Sequence, residues 1–149
     1  MKYFTIEELT ASPTAKRKGI RNTPGLTETK NLFALVNNIL DPLREAYGKP
    51  IVVTSGFRCY LLNRAVGGAT SSQHTKGQAA DIRSVSDKRE DNKRLFDLIL
   101  ELKLPFDQLI NEFDYDWVHV SYGPRNRRQV LDAVKERGCT VYKVHGVAM

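Results

Sequence analysis

Three residues of this sequence have side chains that suit a hydrolytic metal ion. His74 and Asp81 lie in the segment SQHTKGQAAD, and His119 lies in the segment WVHVS. Two of the chain's three histidines therefore fall in these two short segments. Two neutral imidazoles and a carboxylate can hold zinc while leaving a fourth position open for water. Because zinc lowers the pKa of that water to about 7, such a site supplies a nucleophile at neutral pH.

The spacing of these residues predicts a site that the tertiary fold assembles. Asp81 follows His74 by seven positions, and His119 follows Asp81 by 38 positions. Gly77 lies between the first two and permits a sharp backbone turn. Structural zinc sites instead use closely spaced cysteine pairs, whereas the two cysteines of this chain lie 80 positions apart. The pattern therefore argues against a zinc finger.

The same segments resemble the zinc peptidases of the peptidase M15 family. The resemblance rests on the pattern SxHxxGxAxD followed by WVHVS, together with the segments TSGFR, LN, VGG and DQLI. That family includes D-Ala-D-Ala carboxypeptidases, dipeptidases and phage or prophage endolysins that cut peptidoglycan stem peptides. The resemblance implies that His74, Asp81 and His119 bind Zn²⁺. It also implies that Asp116, three positions before the last histidine, is the general base, and that Arg58 binds the substrate.

The general base has two alternatives within the same segment. Side chains an odd number of positions apart on a strand point to opposite faces, so Asp116 reaches the site only from a turn or bulge before the strand. Glu112 and Asp114 are the rival bases, and a solvated turn residue is the structural alternative for Asp116. Of these three residues, we predict that Asp116 is the general base.

Arg58 also allows two interpretations. It follows a Ser-Gly pair at the end of a predicted strand, where a guanidinium can hold a substrate carboxylate or a tetrahedral oxyanion. The alternative is a salt bridge to a carboxylate of the fold, such as Asp107.

Length and composition predict a single zinc peptidase domain over residues 1–149, with 41% hydrophobic residues to fill one core. The net charge of +6 indicates either an ordinary solvated surface or attraction to an anionic cell envelope, and no motif indicates a specific nucleic-acid partner. No apolar run predicts a membrane span, and no N-terminal leader is recognised. We expect a monomer that is cytoplasmic as synthesised and that reaches the cell wall by a route such as a phage-type pore.

Hydrophobic periodicity and turn residues predict the order of elements. A capping box at residues 5–8 predicts the start of a short helix. Further helices are expected from 27 to 47 with an interruption by Pro42, at 58–65 and at 87–102. Strands are expected at 51–55, 79–83, 106–113, 117–122, 129–134 and 140–144. Residues 12–26 are expected to form a loop.

The predicted fold class is α+β, a small, mainly antiparallel sheet with helices packed on one side and the zinc site on the open sheet face, as in D,D-peptidases. The functional hypothesis is a zinc metallopeptidase that hydrolyses peptidoglycan stem peptides. It is either an endolysin-like endopeptidase or a D,D-carboxypeptidase, and which bond it cuts stays open. The alternative is a non-catalytic, zinc-containing peptidoglycan-binding module of the same fold. A candidate base favours the enzyme, and the small basic domain favours the endopeptidase.

Overall fold

The computed structural model describes residues 1–146 and contains a six-stranded sheet. Its strands are β1 (Ile51–Ser55), β2 (Ala79–Ser84), β3 (Gln108–Glu112), β4 (Trp117–Ser121), β5 (Gln129–Glu136) and β6 (Cys139–Val144). Their spatial order is β1-β2-β4-β3-β5-β6. Neighbouring strands are antiparallel except β3 and β5, which run parallel. The predicted strands and the mainly antiparallel α+β class are confirmed, whereas the parallel pair was not predicted.

Helices precede the sheet and alternate with its strands. They are α1 (Ile6–Thr10), α2 (Pro13–Lys18), α3 (Leu26–Leu35), α4 (Asp41–Tyr47), α5 (Tyr60–Ala65) and α6 (Arg89–Glu101). A π-helical turn, Val36–Leu40, joins α3 to α4, and a 3₁₀ turn, Gln73–Lys76, precedes β2. Among the helices of the described residues, none has the length and apolar character needed to cross a membrane.

The loop predicted over residues 12–26 is wrong in part, because helix α2 lies within it. The Ser12 hydroxyl accepts a hydrogen bond from the Ala15 backbone N–H at 3.1 Å, which caps the helix. Pro13 occupies the first turn, where a missing N–H costs no hydrogen bond. Gly19 ends the helix with a φ of 65°, a conformation that favours glycine. The proline therefore starts a helix here instead of excluding one.

The interruption of the long helix occurs where Pro42 predicts it. Helix α3 ends at Leu35, the π-helical turn follows, and α4 begins at Asp41. Because proline has no N–H and its ring clashes with the preceding turn, a regular α-helix cannot run through this position. The wider π-helical turn accommodates the break without ending the helical path.

One face of the sheet is covered by the main hydrophobic core. Side chains alternate along β2 and β4, so Ile82, Val118 and Val120 point into this core and are fully buried. The helical segments supply buried side chains to the same core, among them Leu32, Leu35, Ile39, Leu43, Leu95, Phe96 and Ile99. Asp81 and His119 alternate with these strand residues and therefore project from the opposite face.

Candidate metal centre

His74 is held in one orientation by the 3₁₀ turn before β2. The Ser72 hydroxyl accepts a hydrogen bond from the His74 backbone N–H at 3.2 Å, and Gly77 closes the turn with a φ of 71°. A Cβ atom at Gly77 would lie 2.4 Å from the Glu28 backbone oxygen, so only glycine fits. The imidazole is buried, and its Nδ1–H donates to the Gly56 carbonyl oxygen at 2.7 Å. This hydrogen bond fixes the tautomer and leaves Nε2 as a free ligand atom.

Asp81 and His119 meet across the sheet because β2 and β4 pair in register. The two residues are direct cross-strand partners, and Asp81 Oδ1 lies 3.0 Å from His119 Nδ1. The same oxygen lies 3.5 Å from His74 Nε2. One ligand atom from each of the three residues lies within 4.8 Å of the others. The structure thus brings together all three candidate ligands of the sequence.

The electrostatics of this cluster suit a metal ion. Burial raises the pKa of the Asp81 carboxyl, but the charges and hydrogen bonds of His74 and His119 outweigh burial and hold that pKa well below its usual range. The carboxylate is therefore ionised and directed at two imidazole nitrogens. Two nitrogen donors and one oxygen donor form a set that zinc and related transition metals accept. The residues present fit such an ion.

Glu112 is the acidic side chain that lies beside the cluster. It ends β3, two positions after Ile110, which is the cross-strand partner of His119. Glu112 is therefore on the same sheet face as His119, and it lines the same cleft with 8% of its surface exposed. Burial raises its pKa to about 7, with the nearby Asp81 charge adding to the rise and His119 opposing it. A buried carboxyl with a raised pKa beside a ligand cluster is typical of an acid–base group.

The structure does not bring Asp116 to the cluster. Phe113, Asp114 and Tyr115 have positive φ values of 54°, 56° and 62°, and this tight left-handed turn carries the chain from β3 to β4. Asp116 completes the turn, its backbone N–H donating to the Glu112 carbonyl oxygen at 3.0 Å. Both aspartates are exposed and lie outside the lining of the cleft. The sequence offered Glu112 only as a rival base, and the register of β3 with β4, which puts it on the ligand face, is visible only in the fold.

Arg58 lies at the edge of the same cleft. Its Nη2 donates to the Ser72 hydroxyl at 3.3 Å, and its backbone N–H donates to the His74 carbonyl oxygen at 3.1 Å. Its buried Nε has no hydrogen-bond partner within residues 1–146. The alternative salt bridge to Asp107 is not formed in this part of the chain, because Asp107 pairs with Arg127 at 2.7 Å. Arg58 therefore lines the cleft without a carboxylate partner among residues 1–146.

Comparison with known proteins agrees with this site. The peptidase M15 family profile matches residues 2–121. The chain belongs to the peptidase M15 family. The matched residues include the three candidate ligands, Glu112 and Arg58. A stretch of 44 residues is 50% identical to part of the zinc D-Ala-D-Ala carboxypeptidase of Streptomyces albus G, and it covers 29% of this chain and 17% of that protein.

The cleft of this M15 protein extends beyond the residues that match the family. It has a volume of about 1320 Å³. The hairpin of β5 and β6 lines it with a set of side chains that follow the match: Gln129, Leu131, Lys135, Thr140, Tyr142 and Val144. Arg125 and Arg127 line it from the preceding loop. This wall was not predicted from the sequence, because these residues carry no motif and only the pairing of β5 with β3 places them beside the ligands.

Replacing Glu112 by Gln should change how the stability of the metal-free M15 protein depends on pH. Burial raises the pKa of Glu112 from its ordinary 4.5 to about 7, so the folded state binds this proton more tightly than the unfolded chain. The stability that this carboxyl contributes is present below pH 4.5 and is lost as the pH rises through about 7. The loss corresponds to about 3 kcal/mol.

Urea unfolding of the chelator-treated proteins at pH 5 and pH 8 measures this difference. The Glu112→Gln variant should gain stability relative to the wild type as the pH rises, whereas Asp116→Asn, an exposed carboxyl of the same segment, should follow the wild type. An identical pH dependence of the wild type and Glu112→Gln would contradict the burial of an ionisable group at this position.

Proposed function

We propose that this chain is a zinc-dependent peptidase that hydrolyses peptide bonds in peptidoglycan stem peptides. The observation that carries the proposal is the position of Glu112 beside His74, Asp81 and His119 in one cleft. Three ligands alone would bind a metal, but a neighbouring carboxylate adds the proton transfer that hydrolysis needs. The M15 membership and the name of the partial relative support the substrate class.

The three ligands would hold one Zn²⁺ on the sheet face that is turned away from the helical core. His74 would bind through Nε2, His119 through Nδ1 and Asp81 through a carboxylate oxygen, since these atoms converge. The ion supplies Lewis-acid activation of the attacking water and of the scissile carbonyl. The Gly56 carbonyl keeps the His74 ring in the tautomer that binds.

We assign the general base to Glu112 in place of Asp116. The Glu112 carboxylate accepts a proton from the attacking water and returns it to the leaving amine, the usual task of such a group. Asp116 is exposed in the turn and outside the cleft lining. A cation beside Glu112 favours its charged form and lowers its pKa from the metal-free value. Glu112 is then available as a base at neutral pH.

The extent of the cleft supports an endopeptidase. On β3, Ile110 is the cross-strand partner of His119. Gln108 and its partner Gln129 lie on one side of this position, and Glu112 and its partner Trp117 lie on the other side. All four line the cleft. A substrate can therefore place residues on both sides of the bond that is cut, whereas a carboxypeptidase needs one end that closes over a terminal carboxylate. Arg58, which lines the cleft, then binds the scissile carbonyl through its guanidinium group.

A comparison of stem peptides with free and amidated C-termini tests the proposal. We expect the zinc-loaded protein to cleave an internal bond, with a kcat/KM that amidation changes by less than about threefold. Mass spectrometry of the new termini, first on synthetic peptides and then on digested peptidoglycan, identifies the bond.

Two results would redirect the assignment. A strong preference for the free C-terminus, removed in Arg58→Lys because lysine lacks the bidentate fork, would identify a carboxypeptidase. Zinc-dependent binding of the peptides without any cleavage would identify the non-catalytic peptidoglycan-binding module.

A further inference from the structure

We propose that the inner face of the β5–β6 hairpin is a substrate-binding wall and that the Tyr142 hydroxyl positions the peptide beside Glu112. The inference rests on the proposed peptidase function and assigns a specificity role to residues that follow the M15 match, which ends at residue 121. The occupant that we commit to is the substrate peptide itself.

Sheet register places Tyr142 in the same row as Glu112. Glu112 pairs with Ala133 on β5, and Ala133 pairs with Tyr142 on β6. Neighbouring strands lie about 4.8 Å apart, so Glu112 and Tyr142 are separated by the width of two strands. The residue between them is Ala133, which is buried in a small cluster with Ile110 and Leu131. Glu112 and Tyr142 both line the cleft, on either side of this buried alanine.

Tyr142 is free to meet a ligand. Its side chain lines the cleft and is 55% exposed, and its hydroxyl makes no hydrogen bond to another residue of the range 1–146. Partial burial raises the pKa of the phenol, and the negative charges of Glu112 and Asp81 raise it further. At neutral pH the hydroxyl remains a protonated donor, suited to a peptide carbonyl.

The surroundings of Tyr142 suit a peptide that is partly apolar and carries an acidic group. Leu131 and Val144 are cross-strand partners one row away and form an apolar floor. Val144 is 59% exposed, although it is a large aliphatic residue. At the rim, the Lys135 ammonium donates to the Thr140 hydroxyl at 3.0 Å and remains exposed. Lys135 is then positioned to pair with a carboxylate of the bound peptide.

The wall is continuous with the metal centre, which argues for substrate as its occupant. The row of Asp81 and His119 continues across the sheet through Ile110 and Leu131 to Val144. A peptide bound across the cleft with its scissile bond at the ligands therefore passes over the hairpin without leaving the lined surface. Phe113 packs against the cluster of Ile110 and Leu131 and fixes this part of the surface.

Binding can be measured apart from catalysis because the only tryptophan of the chain reports on the cleft. Trp117 lines the cleft and is the cross-strand partner of Glu112. In a Glu112→Gln background, the fluorescence of Trp117 gives the Kd of an uncleaved synthetic stem pentapeptide. In this background Tyr142→Phe should raise the Kd by about fivefold, as for one lost hydrogen bond. Tyr142→Ala should raise the Kd by at least about tenfold, because the ring contact is lost as well.

The same substitutions in the active protein should raise KM by similar factors and leave kcat within about threefold, which is the signature of a binding contact. Pentapeptides shortened from either end locate the contact: one truncation series should abolish the difference between the wild type and Tyr142→Ala. The matched control is Tyr60→Ala, since Tyr60 is 64% exposed and lies outside this cleft. Circular dichroism and zinc content confirm that each variant is folded and loaded.

The outcomes separate this inference from the function on which it rests. If the wild type cleaves the pentapeptide and both Tyr142 variants keep its Kd and KM, the inference is overturned and the peptidase function stands. If the zinc-loaded wild type neither binds nor cleaves the pentapeptide, the proposed function fails and the inference falls with it.

Discussion

Glu112→Gln should lower kcat by about 10²–10⁴-fold while zinc remains bound, the loss expected when a general acid–base group is removed. The amide keeps the size of the side chain, but at neutral pH it cannot accept a proton from the attacking water. Because Glu112 is not among the three clustered ligands, the metal content should stay at about one ion per chain. Steady-state kinetics on a stem peptide, together with metal analysis of the same samples, measure both quantities.

Asp116→Asn is the matched control for this experiment. It removes a carboxylate from the same β3–β4 segment, but from an exposed position outside the cleft lining. Its kcat should stay within about threefold of the wild-type value, as for surface substitutions that remove no contact in the transition state. The opposite pattern, with activity lost in Asp116→Asn and retained in Glu112→Gln, would restore Asp116 as the base.

Replacing either sheet ligand should abolish both zinc binding and activity. His119→Ala and Asp81→Ala each remove one of the three converging ligand atoms, so we expect no stoichiometric zinc and a loss of activity of at least about 10³-fold. Zinc should also stop raising the unfolding temperature of these variants, because an ion bound only to the folded state stabilises it by mass action. Metal analysis and thermal unfolding with and without added zinc test this prediction.

His145→Ala is the control for the loss of an imidazole. His145 pairs with Asp132 at 2.7 Å and lies outside the cleft lining, so this variant should retain zinc and activity. A His119→Ala protein that still holds a full equivalent of zinc would remove His119 from the site.

The candidate metal ligands can be predicted from the sequence because the residues around each ligand determine its local backbone structure. His74 lies in a turn that Gly77 makes possible, and Asp81 and His119 lie on strands whose alternation with buried residues is visible in the sequence. The M15 resemblance implies that they converge, but their spacing alone does not, since 38 residues separate the two strand ligands. The register of β2 with β4 is a tertiary property, and only the fold supplies it.

The position of the base depends on how the turn between β3 and β4 is built. Strand alternation argues against Asp116, whereas the family spacing of three residues favours it. The left-handed turn of residues 113–115 lets β4 begin at Trp117 and leaves Asp116 in solvent. The pairing of Ile110 with His119 then puts Glu112 on the ligand face. The exposure of Asp116 in this turn and the register of β3 with β4 are the grounds on which we propose Glu112 as the base.

The cleft wall that the β5–β6 hairpin forms could not be predicted from the sequence. Its two strands were predicted, at 129–134 and 140–144. Its place in the sheet depends on the parallel pairing of β5 with β3, two neighbouring strands that are not consecutive in the chain. No local pattern encodes that choice, so the contribution of Tyr142 to the cleft becomes visible only in the folded chain.

Titration of the metal-free protein with zinc tests the central claim most directly. Protein stripped with a chelator is mixed with increasing zinc, and the release of new amino termini from purified peptidoglycan is followed at each ratio. We predict that activity is absent without zinc, rises in proportion to added zinc and reaches its plateau at about one ion per chain. Cleavage by the stripped protein, or no cleavage when one equivalent of zinc is bound, would contradict a zinc peptidase built on His74, Asp81 and His119.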